Sequence, residues 1–400
     1  MVAKALSIVS TFENQQTLAV GSLGHVNHLD SVWKKDDQNV YIFTRLSGVT
    51  VSRWDGNALT HITTGTEIFH KNYGVLCVHV WEDENGVFVA VGGEDYMIVD
   101  DGDTLALLEF VNETELQFRD STLSDLVRCE ALDSYEDANG DRIIVAGSGN
   151  VTSWPSEKYA TTLRWNGTSL SFIASSPYAD TSALRSVATW VSEGTRYIGV
   201  GHRRSEPTYP ADQFELFEYS NHTFTKLAGD PVYEIHIESA GSFGRDGKDG
   251  NTFFLVCNNL DDVIEVYKWD GNMLTLEAGY LGRINLFAGN KAFIDSEDRW
   301  FIVVPSGAAH VILLEWDGSG LIEHDHLVVS GARTDLPATV SSLWMDGEGT
   351  MFFVLQCRMD TEEITYNTYI VRIGISVLTP ILSTIQENSN IQVTWTYPEE

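Results

Sequence analysis

Apolar and polar positions along this chain recur in blocks. Seven continuous apolar runs bounded by polar residues, VYIFTR, VFVAVGG, RIIVAGSG, RYIGVGH, TFFLVCN, WFIVVPSG and MFFVLQC, begin near Val40, Val87, Arg142, Arg196, Thr252, Trp300 and Met351. Apolar runs without alternation read as strands covered on both faces. After each run comes a segment that ends in a charged residue followed by an aromatic or Ile, at Trp54, Phe110, Trp165, Tyr219, Trp269, Trp316 and Ile373. Six to nine residues before each run stands another aromatic, at Trp33, Trp81, Tyr135, Trp190, Phe243, Phe293 and Trp344. An acidic or Gly-containing turn, such as EDENG, EDANGD, VSEGT or DGEGT, separates that aromatic from the run. Four of the charged-aromatic pairs continue as Asp-Gly or Asn-Gly, at Asp55-Gly56, Asn166-Gly167, Asp270-Gly271 and Asp317-Gly318. Such a dipeptide between two β-patterned runs predicts a tight hairpin with both residues at positive φ.

Three anchors in one order, seven times, predict seven copies of a unit made of strand a, turn, strand b, loop, strand c, tight turn and strand d. One such unit cannot bury both of its faces, and packing seven around an axis buries them and hides most edges. The expected fold is therefore all-β, a single seven-bladed β-propeller of four-stranded antiparallel blades over residues 31–382, with extensions at 1–30 and 383–400. A β-helix or an array of small separate domains is the alternative, and full strand quartets argue for the closed ring. The N-terminal ALSIVSTF is the candidate strand to close the last blade, beside ISVLTPIL after Ile373. At the other end NSNIQVTWTYPEE alternates apolar and polar residues and suits an edge strand or a docking strand for a partner subunit. Helix signals are confined to one turn, SDLVR near Ser124.

Composition narrows the function. The chain has 400 residues, 43% of them apolar, with 11 Trp, 15 Tyr and 18 Phe, which is enough for a large core. Its 25 basic against 57 acidic side chains give a net charge of −32, a field that repels nucleic acid and anionic lipid and favours solubility and cations. Cys77, Cys129, Cys257 and Cys357 lie in four different copies without CxxC spacing, so buried free thiols are expected. The N-terminus makes a poor secretory signal, and no apolar window reaches membrane-spanning length. Sequons at Asn112, Asn150, Asn166 and Asn221 are explained equally by turn chemistry.

The segments YIGVGH with FELFEY, and FFLVCN with VIEVYKWDGNMLTLEAG, resemble the epilepsy-associated repeat, which also builds a seven-bladed propeller. The similarity runs from about residue 30 to residue 380 through loose apolar motifs. Phe110-Val111 and Ile373-Gly374 depart from its Trp-Asp-Gly form. The resemblance implies a non-enzymatic extracellular recognition module and transfers no individual binding residue.

Motifs with chemistry are sparse. DANGD (137–141), FGRDGKDGN (243–251) and DDGDT (100–104) are fragments of calcium loops that lack the full ligand set, and plain turn chemistry is favoured for each. Calcium is the one ion they suggest, and no cofactor is expected. His25 and His28 beside Asp30 could ligate a metal if an axial channel supplied more ligands, and a solvated loop pair is favoured. The His324-Asp325-His326 run is weaker still as a metal signal. No GxSxG, HExxH, phosphate loop or Cys-His arrangement occurs. Carboxylates brought together from different blades would leave no local signature, so a glycoside hydrolase or lyase using channel carboxylates is the competing class.

Loop length carries more information. From the second residue of each strand b run to the strand c anchor the copies span 22 residues in the second, third and fourth, 21 in the seventh, and 13, 16 and 15 in the first, fifth and sixth. Long loops thus cluster on consecutive blades two to four, at the end shared with the d-a connections. Those of blades three and four contain Trp154, Tyr159, His202, Arg203, Arg204 and Tyr209, aromatics beside the one Arg-Arg pair of an acidic chain; this composition suits a recognition surface and, equally, packed loops whose arginine pair answers local acids. The sequence therefore points to a binding or structural propeller for a protein or glycan, assembled into a larger complex through its terminal strands. A virion or phage-tail component and an extracellular adhesin suit it equally.

Overall fold

A computed structural model describes the chain outside residues 1–3, 15–30, 46–47, 66–74, 94–103, 123–128, 149–159, 177–182, 193, 204–213, 231–236, 243–251, 259–262, 282–290, 296, 298, 307–309, 333–337, 360–365, 376–380, 388–389 and 397–400. Strand β1 (Lys4–Asn14) comes first. The first four-stranded sheet is β2 (Ser31–Asp36), β3 (Asn39–Arg45), β4 (Val49–Trp54) and β5 (Leu59–Gly65). The second is β6 (Val75–Asp83), β7 (Gly86–Gly93), β8 (Leu105–Val111) and β9 (Glu115–Thr122), and the third is β10 (Cys129–Glu136), β11 (Arg142–Ser148), β12 (Ala160–Trp165) and β13 (Leu170–Ser175). The fourth holds β14 (Ala183–Ser192), β15 (Thr195–Arg203), β16 (Phe214–Ser220) and β17 (Thr223–Asp230). The fifth holds β18 (Ile237–Ser242), β19 (Thr252–Asn258), β20 (Val263–Trp269) and β21 (Leu274–Leu281). The sixth comprises β22 (Lys291–Ile294), β23 (Trp300–Ser306), β24 (His310–Trp316) and β25 (Leu321–Val328). The last four-stranded sheet takes β26 (Thr339–Met345), β27 (Met351–Arg358) and β28 (Tyr366–Ile375), with β1 as its fourth strand. β29 (Ile381–Glu387) and β30 (Asn390–Thr396) pair as a separate hairpin.

All these pairings are antiparallel, and the chain is an all-β propeller of four-stranded blades. Innermost strands touch in cyclic order, β2 to β6, β10, β14, β18, β22, β26 and back to β2. The outermost strands close a second cycle through β5, β9, β13, β17, β21, β25 and β1. Each apolar run is the second strand of its sheet, and each charged-aromatic pair lies on the third. Phe243 lies outside the described residues.

The third-strand anchors are buried, and large side chains among them fill the seam with the preceding sheet. Phe110 packs on Tyr41 and Phe43, and Trp165 on Phe88. Trp54 of the first sheet joins Trp344, Val354 and Ile370 of the last, so the same device seals the two ends of the chain. Side chains of the innermost strands also bond across seams at one repeated level. Ser31 Oγ accepts from the Val80 N–H at 3.0 Å, His79 Nε2 bonds Ser134 Oγ at 2.8 Å, and Asp133 Oδ2 accepts from the Thr189 N–H at 2.6 Å.

Closure differs in detail from expectation. β1 lies directly on β28, with Leu6 opposite Ile373, instead of beside a separate strand after Ile373. Antiparallel pairing with the third strand of the last four-stranded sheet gives β1 the outermost place that strand d holds in the other sheets. Its neighbour in the sixth sheet anchors it. The Leu6 N–H donates to Asp325 Oδ2 at 2.7 Å, and Lys4 Nζ lies 3.3 Å from Asp295. The Lys4 N–H donates to His324 Nδ1 at 3.2 Å, which leaves His324 Nε2 to donate to Glu315 at 2.5 Å.

The Asp-Gly hairpins also correct the sequence reading. Gly56, Gly167, Gly271 and Gly318 have φ near +90°, but the preceding residue does not share the left-handed region. It caps the turn instead: Asp55 Oδ1 accepts from the N–H groups of Asn57 and Ala58, and Asp317 Oδ1 from those of Ser319 and Gly320. Two consecutive positive φ values occur where the dipeptide signal is absent, at Asn112-Glu113 and Asn221-His222. Cys77, Cys129 and Cys357 are buried, and this structure shows them in the reduced form that the sequence reading expected. No helix among the described residues is long and apolar enough to cross a membrane.

Candidate functional site

Of the six residues expected to form the recognition surface, Trp154, Tyr159, Arg204 and Tyr209 lie outside the described residues. His202 and Arg203 end β15, paired in register with Leu184 and Ala183, at the end of the ring that carries the b-c loops. The motifs at His25, His28 and Asp30, at 243–251 and at 100–103 also fall outside the described residues. DANGD is described and behaves as a turn. Asp137 Oδ1 accepts from the N–H groups of Asn139 at 2.8 Å and Asp141 at 3.0 Å, and Gly140 takes φ 84°. Among the described residues no group of three or more His, Cys, Asp or Glu side chains is placed to hold a metal ion.

The opposite end of the ring carries a groove of about 390 Å³ at the seam between the third and fourth sheets. Its base is aromatic. Tyr135, the last ring of β10, meets Tyr219 of β16 edge to face at 6.5 Å, and Tyr219 Oη bonds Thr162 Oγ1 at 3.0 Å. Its cation is Arg196, which the apolar run of the fourth sheet delivers at the start of β15. The guanidinium lies over the Tyr135 ring, 3.7 Å from its centroid. Asn139 and Asn221 border the groove with polar groups, and Val191 adds an apolar lip that is 50% exposed.

Burial sets the electrostatics. It pushes the Tyr135 hydroxyl up, with Tyr219 adding to the shift and Arg196 opposing it, and it pushes Tyr219 up as well. Both phenols therefore stay neutral at ordinary pH. Burial also draws the Arg196 guanidinium down from its ordinary value, with Tyr135 and Asp133 opposing the shift.

Nearby acids are committed elsewhere. Asp137 serves its own turn, and Asp141 pairs with Arg164 at 3.4 Å. Asp133 accepts from the N–H groups of Ser134 and Thr189. Among the described residues no carboxylate lies within ion-pair distance of Arg196. The adjacent seam gives the contrast. Arg142 lies over Trp81 at 5.6 Å in the equivalent place, but it also has Glu136 at 4.0 Å and the Glu82 carbonyl at 3.5 Å. Among the described residues the guanidinium has a carboxylate neighbour there and none at Arg196.

His222, at φ 61°, brings Nε2 to 3.4 Å from Arg164 at the rim of this groove. A non-glycine residue in the left-handed region is strained, and strain of this kind is retained where the surroundings hold it. Sequence reasoning placed Tyr135 and Tyr219 in the framework and Arg196 at the head of a strand, and it missed their convergence. The usable signal was the Arg at the start of RIIVAG and RYIGVG, which follows an aromatic one copy earlier in both cases. No family model matches the chain, and no curated protein matches it in sequence.

Proposed function

We propose that this chain is a non-enzymatic recognition propeller, its seven sheets acting as seven blades of one closed ring, which binds a protein or glycan through an anionic group placed on Arg196. The observation that carries the reading is a half-buried guanidinium facing a ligand-sized groove, without a carboxylate partner among the described residues, in a chain where acids outnumber bases 57 to 25. An incoming carboxylate would accept from the N–H groups of Arg196, and a guanidinium fork matches carboxylate geometry. Tyr135, Tyr219 and Val191 supply the apolar contact area beside it. The long b-c loops with Trp154, Tyr159, His202, Arg203, Arg204 and Tyr209 support a second contact surface at the opposite end. The setting we favour is a virion or an extracellular adhesion complex, supported by the acidic composition and by the C-terminal β29–β30 hairpin, which pairs outside the seven four-stranded sheets.

Arrays of acidic and neutral glycans and of peptides, probed with the full chain and with Arg196→Ala, test the reading. Binding should be confined to carboxylate-bearing probes and weaken at least tenfold in Arg196→Ala, the loss expected of about 1.4 kcal/mol or more from a charge-assisted pair. Arg203→Ala with Arg204→Ala reads the opposite end independently. Turnover of any bound glycan would sink the non-enzymatic reading.

A further inference from the structure

We propose that Cys77 and Cys129 are the partners of an inter-sheet disulfide that tethers the innermost strand of the second sheet to that of the third. Their sulfurs lie 4.0 Å apart across the seam, and the Cys77 thiol also approaches the Cys129 carbonyl at 3.4 Å. Both belong to innermost strands, Cys77 near the start of β6 and Cys129 as the first residue of β10, in one buried cluster with Leu105, Leu107 and Leu132. Gly92 makes the room. A Cβ built on it would lie 2.5 Å from the Cys77 sulfur and 2.7 Å from the Cys129 sulfur, so the two sulfurs share the space over one bare backbone position. The seam thus aims both thiols at the same point, and a sulfur-sulfur bond of about 2.05 Å needs roughly 2 Å of approach from there.

The chemistry is thiol-disulfide exchange with a small disulfide such as oxidised glutathione. One thiolate attacks the glutathione disulfide, forming a mixed disulfide and releasing one reduced glutathione. The second thiolate attacks the protein sulfur of that mixed disulfide, the S–S bond to glutathione breaks, and a second reduced glutathione leaves. Overall, two protein thiols give up two electrons and two protons, and one glutathione disulfide becomes two thiols. Both sulfurs are fully buried in the folded chain, and burial pushes the Cys77 thiol well up, which suppresses the attacking thiolate there. The bond therefore forms as the second and third sheets dock, before water leaves the seam.

Denatured, reduced full-length chain refolded with oxidised and reduced glutathione, then alkylated, digested and weighed, tests this. A peptide pair joining Cys77 to Cys129, about 2 Da lighter than the separate peptides, should dominate. It should be lost in Cys77→Ser and in Cys129→Ser, and the bonded form should melt several degrees above the reduced form, because the bond closes a long loop in the unfolded chain. Cys77→Ser and Cys129→Ser that still fold show that the thiols are not needed for the seam itself. Refolded, β-rich protein with both thiols alkylated, or a bond to Cys257 or Cys357 instead, overturns the proposal.

Discussion

Glu113 shows how one strained residue can hold a seam. It sits at φ 59° in the turn between β8 and β9, where its carboxylate accepts from Tyr41 Oη and pairs with Lys35 of the neighbouring sheet. Lys35 and Tyr41 together hold the Glu113 carboxyl below its ordinary 4.5. On the phenol, burial and the Glu113 partner push Tyr41 up to about 12. A carboxyl whose folded value is depressed adds stability that is present above its unfolded value and lost as pH falls through the folded one. Glu113→Gln should therefore lower the melting temperature slightly near pH 7, with the gap closing in melts run below about pH 4. A gap that persists in acid would assign the loss to packing. Gly147 is the steric counterpart. A Cβ there would come 2.2 Å from Leu184 Cδ2 of the next sheet, so Gly147→Ala should cost about 1–3 kcal/mol in denaturant unfolding.

Among the elements, β1 is the strand whose place depends on residues far away in sequence. Asp295 gathers Arg299 Nη2 at 2.7 Å, Arg299 Nε at 3.1 Å and Lys4 Nζ at 3.3 Å, and so joins the start of β1 to the sixth sheet. Burial pushes the Asp295 carboxyl up, but hydrogen bonds from the Arg299 side chain and from the backbone N–H groups of Arg299 and Glu297 outweigh it and hold it below 3.8. Asp295→Asn should cost about 2 kcal/mol at neutral pH through weakened charge-assisted hydrogen bonds. Faster amide exchange along β1 and β28, ahead of the other sheets, would identify the latch as its site of action.

Strand order and strand bounds were legible in the sequence, because burial on both faces imposes unbroken apolar runs and each seam demands a large side chain at one place on the third strand. A second repeat was not. In every four-stranded sheet the outermost strand shifts register against the third at the same level, between Val51 and Ser52, Leu107 and Leu108, Thr162 and Leu163, Leu216 and Phe217, Val266 and Tyr267, Leu313 and Leu314, and, through Ile8 and Ser10 of β1, at Val371 and Ile370. Bulges of this kind strengthen local twist and need no particular residue, so they leave no pattern to read.

At the scale of the whole molecule, acid should loosen the ring before base does. His79 lies on an innermost strand, and burial holds its imidazole below 6.5 while Asp133 opposes the shift. Its neutral form thus favours the folded ring above about pH 6.5, and that contribution is lost as pH falls through its own lower value. Glu113 and Asp295 follow below the ordinary carboxylate range. Stability measured against pH should fall in two stages, one below pH 6.5 that is absent in His79→Gln and one below about pH 4.5. A flat profile between pH 7 and 5 would remove His79 from the account.

The groove was not legible for a reason of the same scale. Tyr135, Arg196 and Tyr219 come from three strands of two sheets, and the openness of Arg196 depends on where Asp133, Asp137 and Asp141 spend their oxygens. Titration calorimetry of the best carboxylate-bearing probe against the full chain, Arg196→Ala and Arg196→Lys tests the central claim most directly. Affinity should fall at least tenfold in Arg196→Ala, recover only in part in Arg196→Lys, and weaken with added salt. Equal affinity in all three proteins would contradict a groove built around Arg196.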